Sequence, residues 1–244
     1  MCKFKIFLLV TIIILTPSFT KGVVSKLDNS AKEKEEVRLP LPQKRGNLYI
    51  EEAISQRRSV REYEDEPLIQ EEVSQLLWAA QGITAEWGGR TVPSAGALYP
   101  LEIYLVAGKV KNLEPGIYHY NPNSHSLVRI VSGDRRFVLF NSGLWQSAIK
   151  EAPISLIICA DYSRTTRKYG ERGKRYVHIE VGHVAQNVYL QAESLGLATV
   201  AIGAFSDLGV KKVLGIKEDP FYIMPVGRPR KEVNHVNIKK DKRN

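Results

Sequence analysis

Basic and hydroxyl side chains gather at one point of the chain. Arg57, Arg58, Ser59 and Arg61 lie together just after the short periodic segment marked by Ile50, Ala53 and Ile54. Guanidinium forks match the oxygens of a phosphate, and a neighbouring hydroxyl can bond a sugar-like chain. The same R-R-S-x-R string also reads as a generic basic stretch. A second cluster is Pro93-Ser94-Ala95-Gly96-Ala97-Leu98-Tyr99-Pro100. Its Pro93, Ser94 and Gly96 are small or turn-forming residues that let a backbone approach a flat ligand closely. Composition alone is equally satisfied by a plain tight loop. Small residues recur at Ile202, Gly203 and Ala204, and a last guanidinium, Arg228, stands between Gly227 and Pro229.

Several other chemistries are excluded or weakened by missing patterns. The sequence has no G-x-S-x-G elbow for a serine hydrolase and no G-x-x-x-x-G-K-[ST] phosphate loop. It also lacks the G-x-G-x-x-G fingerprint of a dinucleotide fold. His178, Glu180 and His183 invite a metal reading. On a helix, however, five residues turn a side chain through about 500°, so the two imidazoles diverge by about 140°. No metal is expected there, and ordinary hydrogen bonds are expected for the polar residues of that helix. The two cysteines, Cys2 and Cys159, form neither a disulfide framework nor a metal spacing.

The elements that must position these clusters follow from periodicity. A helix from Pro67 presents Val73, Leu76, Leu77 and Ala80 on one face and stops at Gly82. Residues 84–97 read as a loop and Leu101–Val106 as a strand. Ile117–Tyr120 and Leu127–Val131 flank Asn-Pro-Asn-Ser, a hairpin signal. Phe137–Ile149 reads as helical. Ile154–Ala160 is a continuous apolar run and reads as a fully buried strand. The longest periodic stretch, Tyr176–Leu195, sets Val177, Val181, Val184, Val188, Ala192 and Leu195 on one stripe. A strand over Ala198–Ile202, a helix over Leu208–Leu214 and a strand over Tyr222–Val226 complete the set. Strands and helices alternate around one hairpin, which predicts a mixed sheet flanked by helices.

The 244 residues carry a net charge of +9 and an ordinary globular balance of 43% hydrophobic and 25% charged residues. One well-buried domain accounts for that length. Lys3 and Lys5 precede the apolar run Ile6–Leu15, and small residues follow. That is the pattern of a signal peptide or uncleaved membrane anchor over 1–20, so export, to a periplasmic or outer location, is expected. Residues 21–46 read as a charged linker, residues 47–230 as the domain and 231–244 as a basic tail. The tail reads as solvated, and no nucleic-acid-binding signature accompanies it.

Taken in order, R-R-S-V-R-E-Y, P-S-A-G-A-L-Y-P, A-E-S-L-G-L-A, A-I-G-A-F and P-V-G-R-P resemble the nitroreductase family of flavoproteins over residues 48–229. Lys168-Tyr169-Gly170-Glu171-Arg172-Gly173, followed by Arg175-Tyr176 and Gly182-His183, is similar to the SagB-type branch of dehydrogenases. The resemblance implies an α+β fold and a homodimer with FMN at the subunit interface. It also implies hydride transfer through flavin N5 to or from a small organic substrate. By motif, Arg57 and Arg228 would hold the FMN phosphate, with Arg58 beside Arg57. Ser59 would bond the ribityl or pyrimidine region, and Arg61 would steady negative charge on the ring. Pro93, Ser94 and Gly96 would line the isoalloxazine, and Ile202, Gly203 and Ala204 its other edge. Lys168 and Tyr169 match a pair that assists proton removal in azoline-oxidising members, where dehydrogenation of modified peptides is the alternative activity. A surface segment in a charged loop, Arg164–Arg175, is the competing reading of that pair. A flavin-binding module without turnover is the third reading of the whole chain. If the domain lies outside, where NAD(P)H is scarce, electrons would come from a membrane donor or from the substrate.

Overall fold

Residues 35–230 are described by the computed structural model. The expected leader (1–20), the first part of the linker and the basic tail (231–244) lie outside the described residues. One seven-stranded sheet organises the rest, in the spatial order β1-β4-β3-β2-β5-β7-β6. Its strands are β1 (Glu36–Arg38), β2 (Leu101–Ala107), β3 (Gly116–Asn121), β4 (Ser126–Ser132), β5 (Ile154–Ala160), β6 (Ala198–Thr199) and β7 (Asp219–Gly227). Their pairings are antiparallel. Parallel bridges at Ser59–Thr199 and Leu68–Val110 supply the mixed character. β5 lies between β2 and β7 with all its residues buried, as its unbroken apolar run predicts. The β3–β4 turn is fastened by the Asn121 side chain, which accepts from the Asn123 N–H at 3.0 Å.

Helices cover both faces. They are α1 (Ile50–Gln56), α2 (Gln70–Gln81), α3 (Arg136–Ser142), α4 (Ser147–Glu151), α5 (Tyr162–Tyr169), α6 (Arg172–Ser194) and α7 (Asp207–Leu214). Alternation along β2 divides the core. Leu101, Ile103 and Leu105 pack with Leu76 and Leu77 of α2 and with Val177, Val184 and Val188 of α6. Tyr104 and Val106 pack on the other side with Leu139, Ile149, Val210 and Leu214. The predicted stripe of α6 is the face it buries.

Four expectations change. The linker does not run to residue 46. Glu36–Arg38 pairs with β4, Leu39 is 8% exposed, and the Pro40 carbonyl accepts from the Ser74 hydroxyl. An edge strand needs only one apolar neighbour side, so its polar sequence resembles a tether. The stretch Phe137–Ile149 is two helices, broken where Leu144 and Trp145 both adopt φ of +55°. The strand expected over Ala198–Ile202 pairs only at Ala198–Thr199, with a bridge at Ile202. The charged segment read as a loop from Arg164 is helical to Tyr169. Asp161 accepts from the Ser163 N–H at 2.9 Å at its start, and Gly170 closes it at φ +56°.

Candidate cofactor site

The basic cluster is built around a residue that sequence reasoning passed over. Tyr189 of α6 shares a hydrogen bond with the Ser59 hydroxyl at 2.9 Å, and its oxygen accepts from the Ala201 N–H at 2.8 Å. The Arg57 guanidinium stands over the Tyr189 ring, 5.1 Å from its centre. The backbone fixes the same junction, because the Val60 N–H donates to the Thr199 carbonyl at 3.0 Å. Three distant segments therefore meet: the end of α1, the C-terminal part of α6 and the chain leaving β6. Arg57 has no carboxylate partner among the described residues, and neither has the exposed Arg61. A half-buried guanidinium beside an exposed hydroxyl fits an anionic group with a polar chain attached. Arg58 is turned to other work, donating to the carbonyls of Ser55 and Arg57 at the end of α1. Ile202 is buried, whereas Gly203 and Ala204 are exposed, and the Ala204 carbonyl accepts from Gln146 Nε2 at 2.9 Å.

The second cluster forms where the loop 93–99 meets the end of α5. Gly96 adopts φ +64°, and a Cβ built there would lie 2.7 Å from the Tyr169 hydroxyl and 3.0 Å from Lys168 Nζ. The left-handed backbone is what calls for glycine here, and the tips of the two side chains rest against it. The structure brings Lys168 and Tyr169 to the small-residue loop, although nothing in their spacing links them to it. Tyr169 also packs edge-on against Tyr176, with ring centres 5.2 Å apart. Ser94 accepts from the Tyr99 N–H at 2.9 Å. Behind it lies Glu180 of α6, only 3% exposed. Burial pushes this carboxyl up to about 7, against the opposing pull of the Ser94 hydroxyl and Arg90. Its Oε1 has no hydrogen-bond partner. Glu180 thus keeps one buried oxygen outside the ordinary hydrogen bonds expected for the polar residues of this helix. His178 does bond to the Tyr162 hydroxyl, at 2.5 Å.

The two clusters occupy opposite flanks of α6. Glu180 and Tyr189 are nine residues apart on that helix. Nine residues rise about 13.5 Å and turn about 900°, which is a half turn beyond two full ones. Arg228 joins neither cluster with its side chain. It pairs with Glu72 at 2.8 Å and Glu66 at 3.0 Å. As placed it is committed to carboxylates rather than open to a phosphate, a departure from its expected role. Glu72 itself caps α2 by accepting from the Ile69 N–H at 3.0 Å. A cavity of about 930 Å³ lies between residues 41–48, α1, α2 and α6 and touches none of the expected site residues. Leu41, Ile50 and Ile69 line it and are exposed. Among the described residues no group of three or more His, Cys, Asp or Glu could hold a metal.

The sequence matches the model of the nitroreductase family over residues 54–228. A provisionally named nitroreductase of Methanocaldococcus jannaschii is 55% identical over 181 residues, which are 74% of this chain and 91% of that protein. The microcin B17-processing protein McbC of Escherichia coli, a distant homologue, is 28% identical over 134 residues, 53% of this chain and 49% of McbC. A crystal structure of a provisionally named nitroreductase from Anabaena variabilis superimposes with a TM-score of 0.70 at 29% identity. The match covers 80% of this chain and 42% of that one. The chain therefore spans less than half the length of the last two.

Proposed function

From a chain that belongs to the nitroreductase family of flavin-dependent oxidoreductases, we propose a homodimer that holds FMN between its subunits and acts on a small organic substrate. The observation that carries this reading is the division of the site across α6. Arg57, Ser59 and Tyr189 lie on one flank, and Ser94, Gly96, Lys168 and Tyr169 on the other. A single flat cofactor cannot lie against both flanks of one helix, whereas two copies can face opposite flanks to each other. The exposed apolar side chains Leu41, Ile50, Ile54 and Ile179 supply surface for such contact.

In this reading Arg57 holds the phosphate and Ser59 the polar chain. Gly203 leaves room for the ring, and Arg61 adds positive charge near it. The bound flavin would supply hydride transfer at N5. The chain's own contribution is position, charge and, at Lys168 and Tyr169, groups able to hold or move a substrate proton. Their seat on Gly96 supports the second reading, a SagB-type dehydrogenase acting on azoline rings of modified peptides. McbC carries the name of a peptide-processing protein, which agrees with that branch. We further propose that the domain is exported, so that its electrons come from a membrane donor or from the substrate. An absorbance spectrum of the purified protein, followed by FMN titration and light scattering, tests the cofactor and the dimer together. A monomer that retains flavin would refute the shared site.

A further inference from the structure

Glu180 is a buried carboxyl that the reading above does not use. It lies on α6 behind the loop 93–99, next to Ser94, Arg90 and Gln81. Gln81 is 1% exposed, and its Oε1 accepts from the Arg90 guanidinium at 2.8 Å. Gln81 Nε2 and Glu180 Oε1 are both buried and unpartnered. Arg90 stacks on the Tyr99 ring at 4.5 Å. Beyond Arg90 stand Glu102, bonded to Arg164 and to His119, while Lys168 and Tyr169 close the loop from α5. Glu180 is therefore held where its charge is poorly compensated, with the Gln81 amide on one side and the Ser94 hydroxyl as its polar neighbour on the loop.

Hydrogen-bond counting gives that neighbour a definite meaning. A serine hydroxyl has one hydrogen and two lone pairs. At Ser94 one lone pair is taken by the Tyr99 N–H. An ionised Glu180 can only accept, so it takes the hydrogen and leaves Ser94 a lone pair to offer. A protonated Glu180 can donate to that second lone pair, and the Ser94 hydrogen is then free to point outward. We propose that Glu180 is a positioning residue of the cofactor loop, which by gaining or losing a proton decides whether Ser94 presents a hydrogen or a lone pair to the group bound there. The inference rests on the reading of Ser94 as a cofactor contact. The ring edge of a flavin carries more acceptors, two carbonyl oxygens and bare ring nitrogens, than donors. The protonated form of Glu180 is accordingly the one that favours FMN.

The test is FMN affinity of the full-length protein, read by quenching of flavin fluorescence between pH 5.5 and 8.5. The dissociation constant of the unaltered protein should rise about threefold to tenfold, the worth of one hydrogen bond, with a midpoint near pH 7. Glu180→Gln, which cannot ionise, should bind FMN with an affinity that lacks this midpoint. Ser94→Ala should bind about threefold to tenfold more weakly than the low-pH protein, without that midpoint. The Glu180 carboxyl band is followed in parallel by infrared difference spectroscopy without FMN. A pH profile unchanged in Glu180→Gln would overturn the proposal alone. FMN binding indifferent to Ser94→Ala, with a carboxyl band whose titration does move in that variant, would overturn the reading of Ser94 as a cofactor contact and the proposal with it. Should Glu180→Gln not fold, the unaltered protein and Ser94→Ala carry the comparison, and identical pH profiles in the two overturn it.

Discussion

Replacing Glu180 by Gln should change how stability depends on pH, whatever the ligand does. The carboxyl has an ordinary value of 4.5 and is pushed up to about 7 by burial. Between those values the folded chain binds a proton that the unfolded chain has released, so stability falls as pH rises. The contribution is complete below pH 4.5 and is lost as pH climbs through 7. One tenfold step in proton affinity is worth about 1.4 kcal/mol, so the full loss is roughly 3 kcal/mol. Solvent screening reduces this little, because the residue is only 3% exposed. Glutamine keeps the size and cannot ionise, so the variant lacks this slope. Urea unfolding of both proteins at pH 5 and pH 8 measures it. The variant should gain on the parent by roughly 2.5 kcal/mol between the two conditions, since part of the loss lies outside that range. Other titrating groups, such as His125, whose burial pushes it down, are common to both proteins and cancel in the difference. Stability curves that run parallel at a constant offset would refute the reasoning, since they would mean that Glu180 is ionised in the folded protein throughout.

Arg57→Ala should weaken FMN about tenfold to a hundredfold, because a charge-assisted contact is worth about 1.5–3 kcal/mol. Arg228→Ala strands the 8%-exposed Glu72, so it should lower unfolding stability by about 1–2 kcal/mol and leave FMN affinity within about threefold; an effect on affinity matching that of Arg57→Ala would restore it as a phosphate ligand. Gly96→Ala forces a side chain into φ +64° against Tyr169, so a cost of about 1–2 kcal/mol is expected, together with displacement of Tyr169; an unshifted melting curve would contradict that packing. With a turned-over substrate, Lys168→Ala and Tyr169→Phe should slow substrate oxidation in stopped-flow measurements, and wild-type rates in both would leave the pair a packing role. Fractionation with protease protection should find the domain outside the cytoplasmic compartment with weak NAD(P)H turnover, and a shielded domain that oxidises NAD(P)H briskly would oppose export.

Much of the architecture was legible because it rests on local periodicity. The buried run Ile154–Ala160, the stripe Val177–Ala192 and the Asn-Pro-Asn-Ser hairpin each announce themselves within one segment, and the structure has them. Local breaks were harder to read. Leu144 and Trp145 hold positive φ although neither residue type favours it, so the split of Phe137–Ile149 depends on its surroundings. The helix Tyr162–Tyr169 buries only Thr165, so it carries almost no apolar signal. The edge strand Glu36–Arg38 is stabilised by pairing with β4, which its charged residues do not reveal.

The sequence by itself determined the residue types of the site, two arginines, a serine and a glycine-bearing loop, since these stand in short contiguous strings. It could not place Tyr189 under Arg57 across 132 residues, nor Lys168 and Tyr169 on Gly96. Only the tertiary structure decided that Glu180 is buried without a full set of partners, that Arg228 is spent on Glu66 and Glu72, and that the two clusters flank opposite sides of one helix. The physical reason is the same in each case. Side-chain pairing and desolvation depend on which surfaces come within a few ångströms, and that is set by the packing of α6 on the sheet rather than by spacing along the chain.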